Sequence, residues 1–207
     1  MTSSPADRRP APPGRCDIAV IAGRRLPTLE GDRVRLRWLR EADVPALMEI
    51  FSDEEVTRFW SSPPLTRTSQ ARTLLREIRR GFREGRLFEW GLALKDNDRV
   101  AGTLTLWQLD VENRRAEIGF ALARNVWGRG LMREGLNLAI GLCFGALGLR
   151  RLEADVDPRN TASLRLLESL GFQAEGLMRE RWNTGGELQD SVLLGLLARE
   201  WVRPAAP

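Results

Sequence analysis

The chain has 207 residues, 43% of them hydrophobic, with 32 Lys and Arg against 28 Asp and Glu, a size and balance suited to one compact domain rather than two. Histidine and tyrosine are both absent, which excludes a His-based zinc site, a Ser-His-Asp triad and a phenolic proton donor, and leaves acid–base work to carboxylates, Ser, Thr, Cys, Lys or water. The net charge of +4 is uneven: five arginines and two aspartates in residues 1–28 hold +3 of it, and without a stripe of Lys and Arg interleaved with aromatics, nucleic acid is not an expected partner.

Residues 1–28 are rich in Pro, Arg, Ala and Gly with no periodic apolar spacing, and read as a flexible basic leader. The run Ile18 to Ala22 is too short for a signal-peptide core, and no run approaches eighteen apolar residues, so no membrane span is expected. Cys16 and Cys143 are far apart in sequence, with no disulfide framework or metal motif, which suits a reducing, cytoplasmic setting and a site without metal. The ordered domain is expected to span 29–207.

Within it, residues 33–39 alternate polar and apolar and predict a strand with one solvated face. Asp43 opens a helix with Pro45 early and an apolar stripe of Leu47, Ile50 and Phe51. A second helix spans 69–83, with Leu74, Leu75, Ile78 and Phe82 toward one side and arginines on the other. Three strands follow over 87–94, 100–109 and 116–123, an antiparallel meander with turns at 96–98 and 112–114. A glycine loop at 128–130 opens a long apolar helix ended by Gly148, and residues 152–156 form a short buried strand. Asn160 caps a helix carrying Leu164, Leu167 and Leu170, and strands over 172–182 and 191–197 close the chain around the loop 183–186. The order β-α-α-β-β-β-α-β-α-β-β predicts an α+β fold, a mixed α/β sandwich with helices on both faces and parallel pairing in the middle segment.

Two segments carry candidate chemistry. In residues 124–130 (Arg-Asn-Val-Trp-Gly-Arg-Gly) a strand ends and a helix begins, so backbone N–H groups can converge on a phosphate at the positive end of the helix, with Arg129 or Arg133 in reach. The plainer reading is a tight strand-to-helix turn; the spacing is neither a Rossmann fingerprint nor a Walker loop. In residues 157–163, Asn160 is placed to cap and Ser163 lies one turn along, with an exposed first-turn serine as its plain reading.

The succession Ala116-Glu117-Ile118-Gly119-Phe120, Trp127-Gly128-Arg129-Gly130, Asn160-Thr161-Ala162-Ser163, Gly171-Phe172, then residues 186–190, resembles the GNAT superfamily, and within it the RimJ/RimL branch that acetylates ribosomal-protein N-termini. The resemblance covers residues 29 to about 200 and implies a mixed sheet that splays open after the fourth strand of this reading. It implies acetyl-CoA as co-substrate, its pyrophosphate on backbone N–H groups around Val126, Trp127, Gly128, Arg129 and Gly130, with Arg133 nearby. Phe120, Ala121 and Leu122 would flank the pantetheine arm, Asn160 would hydrogen-bond the co-substrate, and Ser163 would sit near its sulfur. Glu117 matches a carboxylate proposed as general base in this branch, and Ser163 stands where relatives use tyrosine as acid. The chain departs from the family at Asn125, where many members have Gln or Arg.

The reaction so implied is acetyl transfer to a primary amine, first of all a protein or peptide N-terminus, in a monomer or homodimer. A small-molecule amine (amino acid, polyamine or aminoglycoside) is the alternative, and a non-catalytic acyl-CoA-binding module a second one. The arginine-rich helix 69–83 is expected near the acceptor, disfavouring a polycation. For Glu117 the plain reading is a surface residue paired with Arg115 or Arg165.

Overall fold

Alternation of apolar and charged residues produces strand β2 (Val34–Trp38) in the computed structural model, which describes residues 16–184 and 186–202. A two-residue strand β1 (Leu29–Glu30) pairs with it. Arg37 of β2 is buried and makes a two-pronged ion pair with Asp43, at 2.8 and 2.9 Å, which fixes the start of α1 (Val44–Ser52). A short helix α2 (Glu54–Thr57) is capped by Asp53, and α3 (Thr68–Arg83) buries Ala71, Leu75, Ile78 and Phe82, a spacing of three to four residues that makes one apolar stripe.

Strands β3 (Leu87–Leu94), β4 (Val100–Asp110) and β5 (Arg115–Leu122) form the expected antiparallel meander. Helix α4 (Leu131–Phe144) then crosses to β6 (Arg151–Val156), which runs parallel to β5, and α5 (Thr161–Glu168) leads into the antiparallel pair β7 (Gln173–Thr184) and β8 (Glu187–Leu197). The eight strands lie in the order β1-β2-β3-β4-β5-β6-β8-β7. Gly81 of α3 is packed tightly on Leu87, whereas Gly135 of α4 is packed on Leu92 and Leu36. Leu87 and Leu92 point to opposite sides of β3, so α3 and α4 cover opposite faces of the sheet. The α+β sandwich is therefore as the sequence implies.

Three boundaries differ from the sequence reading. Residues 16–28 are not a free leader: Ile21 and Leu26 are buried in the core, the Asp17 amide donates to the Leu147 carbonyl, and the Trp90 indole donates to the Pro27 carbonyl. Two apolar residues five apart give no periodic signal, which is why the packing was not legible. Residues 1–15 lie outside the described residues. Helix α4 stops at Gly145, three residues before Gly148; the left-handed Gly148 (φ +72°) serves the turn that follows. The final hairpin is longer than expected, with pairing that continues to Thr184 and Glu187.

The feature that makes a site is the pairing of β5 with β6. Only Arg115, Ala116 and Glu117 pair, with Arg151, Leu152 and Glu153; beyond that the two strands part while β5 stays bonded to β4 and β6 to β8. This is the splay expected after the fourth strand of the sequence reading, and it leaves the far half of β5 with one unpartnered edge.

Candidate active site

Glu117 is the last residue of β5 before the strands part. It is half-buried beside the Trp107 indole, and its carboxyl is pushed up to about 7, first by burial and then by the neighbouring carboxylates of Asp155 and Glu153, against the hydrogen bond from Trp107 and the charge of Arg181. Arg115 does not pair with it; that side chain goes to Glu153 at 2.8 Å and toward Asp110. No ion pair reaches Glu117 among the described residues, so the plain surface-pair reading is set aside.

Across the splay stands α5. Asn160 caps it by accepting from the Ser163 amide at 3.2 Å, which leaves the Asn160 amide nitrogen to donate. Asn160 and Ser163 both line the same cleft as Glu117, as does Asp155 of β6. Asp155 accepts from the Trp182 indole and from Arg181, each at 3.2 Å, and from the Ser191 hydroxyl. That network ties β6, β7 and β8 together and fixes a carboxylate beside Glu117.

At the C-terminal end of β5 the chain turns through residues 124–130 into α4. Gly128 and Gly130 both have φ of +73°, the left-handed region where a side chain is strained. Space beside Gly128 is open, and the backbone amides of Gly128, Arg129 and Gly130 donate to no described residue. Val126 is buried, and the exposed Trp127 is tethered by its indole donating to the Leu122 carbonyl at 2.7 Å. A loop so held, at the start of a 14-residue helix, fits an anionic phosphate group. Arg133 is exposed on the first turn of α4. Asn125 has another use: its amide donates to Glu49 at 3.0 Å.

The remaining sequence candidates fall on β5 itself. Phe120 lines the cleft with Ile118 and Gly119, whereas Ala121 and Leu122 are outside its lining and serve the backbone, Ala121 against Gly102 and Leu122 as the acceptor for Trp127. The glycine loop is likewise outside the lining of this cavity of about 350 Å³.

Of the other half of the cleft, only Trp60, just ahead of the proline-containing break at 61–64, offers a cue in the sequence to an acceptor cleft. Phe51, Phe59, Trp60 and Leu74 roof it, and Leu87, Glu89 and Thr105 form its floor. Glu89 is only 7% exposed, and burial pushes its carboxyl up to about 7 against the hydroxyls of Thr103 and Thr105. In the sequence Glu89 is marked simply as a lone carboxylate inside the apolar run 87–94. The arginines of α3 do not approach: Arg72, Arg76, Arg80 and Arg83 are exposed, and Arg79 bonds Glu41 and the Leu39 carbonyl. Leu74 alone of that helix lines the cleft, because the apolar stripe faces inward. The expected basic acceptor wall is thus an acidic one. Among the described residues, five carboxylates (Glu89, Glu117, Asp155, Asp157 and Asp190) and no Lys or Arg line the cavity.

Comparison with known proteins agrees with this geometry. A family model described as an acetyltransferase (GNAT) domain matches residues 33–173. Over 174 residues, 84% of this chain and 98% of the relative, the chain is 40% identical to an uncharacterized N-acetyltransferase, p20, of Bacillus licheniformis. The solved structure of Mycobacterium smegmatis RimJ in complex with CoA-disulfide superposes with a TM-score of 0.75 at 26% identity, over 87% of this chain and 90% of that one. More distant relatives differ in the acceptor that their names state. They include the [ribosomal protein uS5]-alanine N-acetyltransferase of Escherichia coli, 29% identical over 58% of this chain and 62% of its own, and the E. coli spermidine N(1)-acetyltransferase, 22% identical over 82% and 88%.

Proposed function

This chain belongs to the GNAT acetyltransferase family and is an acetyl-CoA-dependent N-acetyltransferase; from that premise we propose that it acetylates the N-terminal amine of a protein or peptide, with Glu117 as base and Ser163 as acid. The observation that carries the reading is that one cleft is lined by both groups: the Glu117 carboxyl on β5, pushed up to about 7 by burial, and Ser163 on the first turn of α5. The distant relative whose name states a ribosomal-protein alanine as acceptor, 29% identical, supports a protein N-terminus.

An acceptor amine arrives as an ammonium ion and must lose a proton before it can attack. Glu117 titrates near neutral pH, which suits it to take that proton. Acetyl-CoA supplies the thioester whose acetyl group the neutral amine receives. The unpartnered edge of β5 beyond Glu117 offers backbone N–H groups to the carbonyls brought into the splay, and the amides of Gly128, Arg129 and Gly130 would hold the pyrophosphate with Arg133 beside them. Ser163 holds its hydroxyl on the opposite wall, where a proton is wanted by a departing thiolate. Asn160, already oriented by its cap, keeps a donor for the co-substrate.

A small polyamine acceptor is the second reading, and the acidic lining of the cleft favours it. Acetyl-CoA-dependent thiol release separates the two, measured on peptides with Ser, Thr, Ala or Met N-termini against amino acids, polyamines and aminoglycosides. Highest kcat/KM on peptides supports the first reading, and highest on polyamines replaces it. Ser163→Ala is expected to slow turnover about tenfold or more with little change in acetyl-CoA KM; an unchanged kcat would assign the acid role to water.

A further inference from the structure

Glu89 stands apart from the other buried charges among the described residues. Arg37 and Asp43 are buried as a hydrogen-bonded pair, and Asp157 is answered by Arg159 at 2.7 Å. Of the five cleft carboxylates, Asp155 is matched by Arg181, and Asp190 accepts from the Glu180 amide. Glu89 has the hydroxyls of Thr103 and Thr105 beside it but no cation among the described residues, although it is 93% enclosed. Burying a carboxylate without a cation is costly, and an apolar residue at this place in β3 would pack at no such cost. The cost is understandable if something outside the chain supplies the missing charge.

The geometry says what that group is attached to. In the sheet register Glu89 lies opposite Thr105, which lies opposite Gly119, two residues beyond Glu117 on the same face. Two strand spacings and one residue pair place the Glu89 and Glu117 Cα atoms about 12 Å apart, with both side chains in the same cleft. Between them lie Trp107 and Thr105, under the edge-to-face pair Phe51 and Trp60, whose ring centroids are 5.1 Å apart. That lining suits a short hydrocarbon link. Arg58 and Arg159 sit over the Phe59 ring, but both act on Asp157.

We propose that Glu89 selects the acceptor by binding a second ammonium group carried on the same molecule, at a short hydrocarbon distance from the amine that is acetylated at Glu117. With each nitrogen at hydrogen-bond distance from its carboxylate, the two are roughly 5–8 Å apart, the length of a short diamine or of a lysine side chain beside a peptide N-terminus. The inference rests on acetyl transfer at the Glu117 end of the cleft.

The test is a ratio. kcat/KM is measured for diaminopentane against pentylamine, and for peptides with Lys against norleucine at the second position, in the wild-type enzyme and in Glu89→Gln and Glu89→Asp. The wild type prefers the doubly charged acceptor of at least one pair by about tenfold or more, and Glu89→Gln lowers that ratio at least about fivefold, since a hydrogen bond between charged groups is lost. Glu89→Asp, which draws the carboxylate back by one methylene, moves the preference to a longer diamine and serves if the Gln variant does not fold. Which pair shows the preference tells a free diamine from a peptide. A ratio near one in both pairs, or one unchanged in both variants, overturns the inference alone. Absence of turnover with every acceptor overturns the acetyl-transfer reading and the inference with it.

Discussion

The carboxylate of Glu134 accepts from the backbone amides of Arg33 and Val34, at 2.8 and 3.2 Å, while the Arg33 guanidinium donates both to Glu134, at 3.0 Å, and to the Arg129 carbonyl, at 2.9 Å. Partial burial opposes ionisation of Glu134, yet these donors hold its carboxyl below the usual range. The β1–β2 turn is thereby braced against the glycine loop and the first turn of α4. Arg33 is more than half exposed, so the ion pair itself adds well under about 1 kcal/mol to stability. Its work is to fix the loop, and Arg33→Ala should raise the acetyl-CoA KM about three- to tenfold while leaving kcat and Tm nearly unchanged. Steady-state kinetics with a melting curve decide it; a fall in Tm with no change in KM would make the brace purely structural.

Because Glu117 must be ionised to accept a proton, kcat/KM should rise with pH through an apparent pKa of about 7 and level off above it. Glu117→Gln should lose about two to four orders of magnitude in kcat and flatten that rise. A variant with wild-type turnover and the same pH profile would remove Glu117 from the mechanism and leave the proton to water.

Asp155 supplies the second-largest push on Glu117, after burial. Asp155→Asn keeps an oxygen for the Trp182 indole and the Ser191 hydroxyl but removes the charge. The apparent pKa of the kcat/KM profile should therefore fall below that of the wild type. An unmoved profile would mean that burial and Glu153 set it without Asp155.

The parts of the site that repeat a local pattern were open to sequence reasoning. Gly128 and Gly130 mark a strand-to-helix turn by residue type alone, and Asn160 sits three residues before Ser163, the spacing of a cap. The splay could be inferred only through resemblance, since nothing local to residues 117 and 153 says that pairing stops there. Glu89, Asp155 and Trp60 come together from β3, β6 and the segment after α2, and long-range register decides that. The arginines of α3 misled because helical spacing gives the polar side of a helix without saying whether it faces solvent or a neighbour. Ile21 and Leu26 were hidden in a stretch whose composition is that of a disordered tail.

The burial of Glu89 has its own consequence for stability. Its carboxyl ionises at about 7 in the fold against 4.5 for an ordinary glutamate, so the unfolded chain releases this proton more readily. A raised pKa makes the contribution full below pH 4.5 and lost as pH rises through about 7, so Glu89 favours the fold more at pH 5 than at pH 8. At about 1.4 kcal/mol per unit the difference approaches 3 kcal/mol. Other groups titrate over the same range, among them Glu117, and the wild-type curve alone does not isolate Glu89. Glu89→Gln does: urea unfolding followed by tryptophan fluorescence should show the wild type losing more stability than the variant between pH 5.5 and 8. A diamine at saturating concentration should reduce that loss in the wild type and not in the variant, because a bound cation lets Glu89 ionise without its penalty. Equal pH slopes for the two proteins would mean that water reaches the Glu89 carboxylate in solution and that its burial is not felt.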